Sequence, residues 1–284
     1  MNILYCGDRN ILDGLILSVL SLKNHTDRPL CIQVLTMNFE HEGREFHALR
    51  QEDLVLLDRT LREKNPDSRI QVINIENLFQ KNLPQANLAT RFTPCCMLRL
   101  YADLVDEIPA RTLYLDTDVL CRKLFDRFYD QPMEDAELAG VLDYIGRWFF
   151  HNRPFQMDYL NSGVLLLNMK RIRENGLFEE CRERCRRKRM FMPDQSSLNK
   201  LTETRLIWPR AYNEQRILRD DTIFQHFTTG FRFRPVFHML CVKPWEIDRV
   251  HNVLKLNEYD ELYEEYGRLK ADMAAASAGR IQES

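Results

Sequence analysis

From Asn2 to Asp118 the chain alternates short apolar runs with stretches of helical period, and this alternation limits the fold more than any other feature. Residues 2–6 read as a buried strand, after which Leu12, Leu15, Ile16, Val19, Leu20 and Leu22 fall on one helical face. Residues 30–36 and 69–75 are further strands, and between them Leu49, Leu54, Leu57 and Leu61 mark an amphipathic helix over 46–64. Pro94 opens a helix running through Met97, Leu100, Leu104 and Val105, since the first turn has no use for the N–H that proline lacks. Residues 112–115 form a short strand that ends in acid, Asp116-Thr117-Asp118. Such alternation predicts an α/β domain: a mostly parallel sheet flanked by helices, with ligands held beyond the carboxyl ends of the strands. Asp8, Asn10, Asp116 and Asp118 all fall just past such ends.

The second half is more mixed. Residues 138–142, 164–167 and 222–227 read as strands, 170–189 as a very basic helix, 194–201 as a short helix and 258–270 as an acidic amphipathic one. The small, polar stretch 274–284 is expected to fray. With 284 residues, no internal repeat and no Gly/Ser linker, the predicted organisation is one domain over 1–250 and a helix with a tail over 251–284. A balance of 40 Lys+Arg against 42 Asp+Glu argues against a nucleic-acid partner, which needs clustered cations to displace counterions. Met1 leads into an apolar run without a basic n-region, and Asp13 interrupts the next one, so neither a signal peptide nor a membrane span is predicted. The eight cysteines form no C-x-x-C pair and read as reduced thiols of a cytoplasmic protein.

Absent motifs narrow the chemistry. There is no G-x-G-x-x-G, no G-x-x-x-x-G-K-[ST], no G-x-S-x-G and no H-E-x-x-H, which disfavours dinucleotide oxidoreductases, P-loop NTPases, α/β hydrolases and zinc proteases. Asp116 and Asp118, at i and i+2 beyond a strand, can reach one hard cation such as Mg²⁺ or Mn²⁺. A solvated turn shows the same spacing, but two carboxylates wedged between Leu113-Tyr114-Leu115 and Val119-Leu120 are costly without a partner. Asn161-Ser162-Gly163 leads into an apolar strand and is either a simple turn or a set of polar groups at the strand's start. Asp194-Gln195 follows Pro193 and reads as a helix cap or as a pair aimed at a sugar. His226 lies in the apolar run Ile223-Phe224-Gln225-His226-Phe227 and is a core histidine unless Asp116 and Asp118 are its partners. In Lys243-Pro244-Trp245 the lysine suits a phosphate, while the tryptophan most simply packs.

Taken in order, these pieces resemble the retaining glycosyltransferases of family 8, which have the GT-A fold, over roughly residues 1–250. Tyr5-Cys6-Gly7-Asp8-Arg9-Asn10 is similar to the family's first-strand turn, which implies Asp8 and Asn10, with Cys6 beside them, at the base and ribose of the donor. Arg99 matches the arginine that reaches the donor sugar, and Asp116-Thr117-Asp118 the metal-binding D-x-D, with His226 as third protein ligand. Asp143, in Gly140-Val141-Leu142-Asp143, sits where the family has an acid near donor sugar and acceptor. Asn161-Ser162-Gly163 and Asp194-Gln195 match the two donor-sugar motifs, and Lys243-Pro244-Trp245 a diphosphate-binding element.

The resemblance therefore implies a Mn²⁺- or Mg²⁺-dependent enzyme that moves a hexose, glucose or galactose, from a UDP-sugar to a glycan, a lipid-linked glycan or another hydroxyl acceptor. It implies retention of configuration, with Arg99, Asn161, Asp194 and Gln195 catalytic and Thr117, Ser162 and Lys243 on the donor. The chain departs from the pattern twice. Arg9 replaces a second Asp, and residues 227–242 separate His226 from Lys243, as an inserted loop would if both ends keep their places. A sugar-nucleotide pyrophosphorylase would carry a glycine-rich basic signature after the first strand, which is absent here. An inactive sugar-nucleotide-binding scaffold would have no need of intact Asp116, Asp118 and His226. Arg147-Trp148-Phe149-Phe150 and Arg232-Phe233-Arg234 combine cations with aromatics and suit an acceptor groove or a peripheral membrane contact. The cations of 182–189 read as a solvated helix face, and the tyrosine-rich C-terminal helix suits packing on the domain or a homodimer.

Overall fold

The computed structural model describes residues 1–90, 93–149, 158–232 and 238–282. Strand β1 is Asn2–Cys6, helix α1 Leu12–Asn24 and β2 Cys31–Thr36, followed by a hairpin of β3, Phe39–His41, and β4, Arg44–Phe46. Next come α2 Val55–Lys64, β5 Arg69–Asn74, α3 Glu76–Lys81, β6 Arg111–Leu115, β7 Val119–Cys121, α4 Asp126–Asp130, β8 Leu138–Leu142, α5 Gly146–Phe149 and β9 Leu160–Asn168. The rest is α6 Met169–Asn175, α7 Leu177–Arg187, α8 Pro193–Leu201, β10 Arg205–Trp208, β11 Phe224–His226, β12 Gly230–Arg232, β13 His238–Leu240, α9 Ile247–Arg249 and α10 Asp260–Gln282.

Seven strands form one sheet in the order β10-β8-β9-β6-β1-β2-β5. Every neighbouring pair is parallel except the two made by β9, with β6 and with β8. The mostly parallel sheet read from the sequence is therefore present, with one strand reversed. Running against its neighbours, β9 starts where they finish: Val164 pairs with Leu115 and Leu160 with Leu142. Asn161-Ser162-Gly163 is thereby level with the acids that follow β6 and β8. Asp116 N donates to Gly163 O at 2.9 Å, and Asp143 N to Tyr159 O at 2.9 Å.

Alternation along each strand divides the core between the two faces. Ile3, Tyr5, Ile32, Val34, Leu113 and Leu115 pack with α1, whereas Leu4, Leu35, Tyr114, Leu165 and Leu167 pack with residues 95–102, α7 and α8. Helix α1 is buried almost all round from Gly14 to Leu22, because α2 and α10 cover the side that the sheet leaves open. Tyr259, Leu262, Tyr263 and Leu269 fill that cover, and Lys270 reaches Asp13 at 2.6 Å. The tyrosine-rich helix thus packs on its own chain. It runs on to Gln282 rather than fraying at Ala274, as its run of alanines favours.

Other predicted elements shift for local reasons. The helix expected over 46–64 starts only at Val55, because Phe46 closes the hairpin and Asp53 turns back to accept from Arg50 N at 3.0 Å. Residues Pro94–Leu104 form a 3₁₀ helix instead of an α-helix. Its carbonyls at Cys96, Leu100 and Ala102 accept from the side chains of Arg99, Arg182 and Arg173. The helix expected over 170–189 breaks at Gly176, which takes a left-handed φ of 70°. The 227–242 segment contains a hairpin in which Gly230 pairs with Leu240, so its two ends return together.

Arg182 is a correction to the solvated basic face. It is buried against Asp103, with side-chain exposures of 8% and 9%, while Arg186 and Arg187 stay outside. Removing one partner of a buried pair strands the other charge. Asp103→Ala is expected to lower stability by about 3–5 kcal/mol in urea titrations. Among the described residues no helix is long and apolar enough to cross a membrane.

Candidate active site

Asp116 follows β6, Asp118 precedes β7, and β11 pairs with β7 so that His226 lies opposite Val119. Asp116, Asp118 and His226 each offer one ligand atom, all within 4.8 Å of one another. His226 Nε2 stands 3.1 Å from Asp118 Oδ1 and 3.7 Å from Asp116 Oδ2. Two carboxylate oxygens and an imidazole nitrogen suit Mn²⁺ or Mg²⁺. Room for such an ion depends on Gly163, where a Cβ would come 2.1 Å from His226 Cε1 and 2.8 Å from Asp116 Oδ2.

A chain of amides sets the tautomer of His226. Asp143 Oδ2 accepts from Asn161 Nδ2 at 3.0 Å, which turns Asn161 Oδ1 toward Gly163 N at 3.0 Å and Asn213 Nδ2 at 2.9 Å. Asn213 Oδ1 then faces His226 Nδ1 at 3.2 Å. An accepting oxygen there places the ring proton on Nδ1 and leaves the Nε2 lone pair facing the two carboxylates. Asn213 is only 1% exposed and carries no motif in the sequence, so periodicity and spacing had no means of finding it. Asn213→Leu is expected to weaken Mn²⁺ binding by about 10–100-fold, the usual scale for such supporting residues, measured by metal titration.

Lys243 lies at the same site despite the intervening hairpin. Its Nζ donates to Asp118 Oδ2 at 2.5 Å and to Phe227 O at 3.2 Å. Burial pushes the Asp118 carboxyl up, but the Lys243 ammonium opposes it, and the group is held well below the usual carboxylate range. Lys243 is held above its ordinary value, since Asp118 more than offsets its own burial. A carboxyl whose folded pKa is depressed contributes stability above its unfolded pKa of about 3.9 and loses it as pH falls. Metal-free wild-type protein should therefore be more stable than Asp118→Asn at pH 7. The gap should close as urea midpoints are followed below about pH 4.

Beside this cluster is a second network, centred on Arg99. The buried guanidinium donates to Ser162 O at 2.5 Å and to Asp116 Oδ1 at 2.9 Å, and its Nε lies 3.3 Å from Asp194 Oδ2. Its Cζ is 3.9 Å from the centre of the Tyr114 ring, and Tyr114 Oη donates to Asp116 Oδ1 at 2.6 Å. One oxygen of Asp116 is thus occupied by Arg99 and Tyr114, while the other points to His226. Gln195 Oε1 accepts from Ser162 N at 3.0 Å, and Gln195 Nε2 donates to Asp143 Oδ2 at 3.2 Å. Asp194 is in the first turn of α8, whose cap is Met192. Burial raises its carboxyl pKa, with Arg99 opposing.

The remaining residues named from the sequence lie at the margins of these networks. Cys6 ends β1 within electrostatic reach of Arg99 and Asp116. Asp8 is buried and accepts from the exposed Asn10 at 2.7 Å, and no hydrogen bond among the described residues ties that pair to Arg99 or Asp116. Thr117 turns its carbonyl to Gly14 of α1, where a Cβ would lie 2.7 Å away. Phe150, Phe233 and Arg234 lie outside the described residues, as do the side chains of Phe149 and Arg232.

The profile of Glycosyl transferase family 8 matches residues 2–219. The chain belongs to this family. Family 8 membership makes it a glycosyltransferase, and the fold agrees. An active-site mutant of LgtC is 18% identical, with a TM-score of 0.70 over 93% of this chain and 96% of that one. The galactosyltransferase LgtC in complex with donor and acceptor sugar analogues is 18% identical, with a TM-score of 0.64 over 94% of this chain and 96% of that one. The glycosyltransferase GlyE of Streptococcus pneumoniae TIGR4 is 16% identical, with a TM-score of 0.60 over 93% of this chain and 63% of that one. At these identities the likeness concerns the fold, which is the GT-A architecture that the family 8 motifs implied. Among curated proteins none matches.

Proposed function

We propose that this family 8 glycosyltransferase moves a hexose, glucose or galactose, from a UDP-sugar to a hydroxyl of a glycan acceptor, with a divalent cation and with retention of anomeric configuration. One observation carries the reading: the Asp116-Asp118-His226 donor set and the Arg99-Asp194-Gln195 network share Asp116. A cation site alone would be compatible with many reactions. Joined to a cage of amides, hydroxyls and an arginine, it suits a diphosphate attached to a sugar.

Asp116, Asp118 and His226 would hold Mn²⁺ or Mg²⁺, which when bound supplies Lewis acidity that neutralises charge on a leaving UDP. Lys243 adds a second positive group against the diphosphate. Arg99, Asn161 and Asp194 hold the sugar hydroxyls and fix the anomeric carbon for attack. Asp8 and Asn10, at the end of β1, suit the base and ribose. Gln195 is a neutral amide whose oxygen already accepts from the Ser162 backbone, and so it is a poor nucleophile. Retention then follows from front-side displacement, in which the departing phosphate oxygen takes the proton of the acceptor hydroxyl.

A panel of UDP-sugars assayed for hydrolysis without acceptor, in Mn²⁺ and in EDTA, tests the reading. Slow metal-dependent hydrolysis of UDP-glucose or UDP-galactose is expected, with UDP bound more tightly in Mn²⁺. Equal UDP affinity in the two conditions, with no sugar released from any donor, would leave only an inert scaffold.

A further inference from the structure

Immediately beyond Asp143 the chain builds a surface that the donor chemistry does not use. Tyr144 and Trp148 are 37% and 56% exposed, and two arginines gather on them. Arg147 Cζ lies 5.4 Å from the centre of each ring, and Arg216 Cζ lies 4.5 Å from that of Tyr144 while also donating to its hydroxyl. The surface is held in place. Tyr144 N donates to Gln215 Oε1 at 2.9 Å, and Gln215 Nε2 to Leu142 O at 3.0 Å. Asp143 Oδ1 accepts from Ile145 N at 3.0 Å and from Gly146 N at 2.5 Å, starting α5. Through Asp143 on one side and Asn213, two residues before Gln215, on the other, the platform adjoins the site itself.

Among the described residues the charges on this platform are uncompensated. Arg210 and Arg219, nearby in sequence, both reach Glu214. Among the described residues no carboxylate pairs with Arg147 or Arg216. Arg147 Nε is out of solvent contact and has no hydrogen-bond partner among them. Two guanidinium groups brought to one ring repel each other, and an anion between them would relieve that while using their planar donor forks. Exposed aromatic rings, in turn, offer a flat apolar face to a sugar ring.

We propose that Tyr144, Arg147, Trp148 and Arg216 form an acceptor subsite for an anionic saccharide, a sugar carrying a carboxylate or a phosphate next to the hydroxyl that is glycosylated. The proposal rests on the transferase reading above and narrows its acceptor class. The sugar ring stacks on Trp148 and Tyr144, and its acid group sits between the two guanidinium groups.

The test is a titration of the wild-type protein, with Mn²⁺ and UDP present, by methyl glucuronide, glucose 6-phosphate and neutral methyl glucoside, followed by Trp148 emission. A Trp148→Phe variant assigns the signal. The acidic sugars are expected to bind about tenfold more tightly than the neutral one at low salt, with the advantage shrinking as NaCl is added. Comparison of the first two probes tells carboxylate from phosphate. Combined Arg147→Gln and Arg216→Gln should remove the advantage, and glucoside binding by that variant reports that the platform is still folded. Equal binding of acidic and neutral sugars by the wild type overturns the proposal. So does a preference that survives in the double variant. It is also overturned if sugars show no preference while phosphatidylglycerol vesicles bind the wild type and not the variant, since the arginines then serve a lipid surface. UDP binding by the wild type is judged separately, and its absence in Mn²⁺ would sink the transferase reading itself.

Discussion

Exchange of Asp118 for asparagine is expected to abolish sugar transfer, lowering kcat by about a thousandfold or more. Asparagine keeps the shape of the side chain and one oxygen, but removes the charge that balances both a cation and the Lys243 ammonium at 2.5 Å. The loss should appear in binding as well as in rate. Wild-type protein should bind UDP more tightly in Mn²⁺ than in EDTA, whereas the variant should bind it equally in both. Asp118 is a cleaner probe than Asp116, whose second oxygen also receives Arg99 and Tyr114. An Asp118→Asn protein that retains metal-dependent UDP binding would show that the cation, if used, is held elsewhere.

The second large effect is expected from a single methyl group. Gly163→Ala places a Cβ 2.1 Å from His226 Cε1, 2.7 Å from its Nδ1 and 2.8 Å from Asp116 Oδ2. Neither neighbour is the loose end of a flexible side chain. The ring is tied by Asn213, and the carboxylate by Arg99 and Tyr114. Displacement of the ring should remove Mn²⁺ binding, reduce transfer by at least about a hundredfold, and cost about 1–3 kcal/mol of stability through overpacking. Electron paramagnetic resonance of added Mn²⁺, with urea unfolding on the same samples, separates the two effects. Wild-type Mn²⁺ affinity in a folded Gly163→Ala protein would show that the residue serves β9 and not the cation.

Much of this was readable from one-dimensional pattern. Strands β1, β2 and β6 and helix α1 follow hydrophobic period, because these strands are buried on both faces and α1 almost all round. The acids after β6 were visible for the same reason, since an apolar strand that ends in carboxylates must find them partners. What pattern did not give was mostly non-local. Arg182 reads as one more surface arginine until Asp103, 79 residues away, is brought beside it. The reversal of β9 has no local signature, because its apolar run suits either direction. The 3₁₀ geometry of Pro94–Leu104 depends on arginines from α6 and α7 that compete for its carbonyls. Asn213 is a single amide in an irregular segment, and its part in orienting His226 follows only from contacts 13 and 52 residues away.

The reversed strand has one further consequence. Val164-Leu165-Leu166-Leu167 is apolar on both faces, and both faces of the sheet are core. Moving such a strand along by one position would exchange leucine for leucine and cost little in burial, so greasiness cannot choose its alignment. The choice falls to the polar groups at its ends. At one end Asn168 accepts from Arg171 N at 3.3 Å and donates to Ala136 O at 3.1 Å. At the other, Asn161 reaches Asp143 while Gly163 O receives Asp116 N. The groups proposed above to grip a sugar nucleotide thus also act as index pins that seat β9 in its groove, so a protein that has found its alignment has, in the same act, set its candidate site.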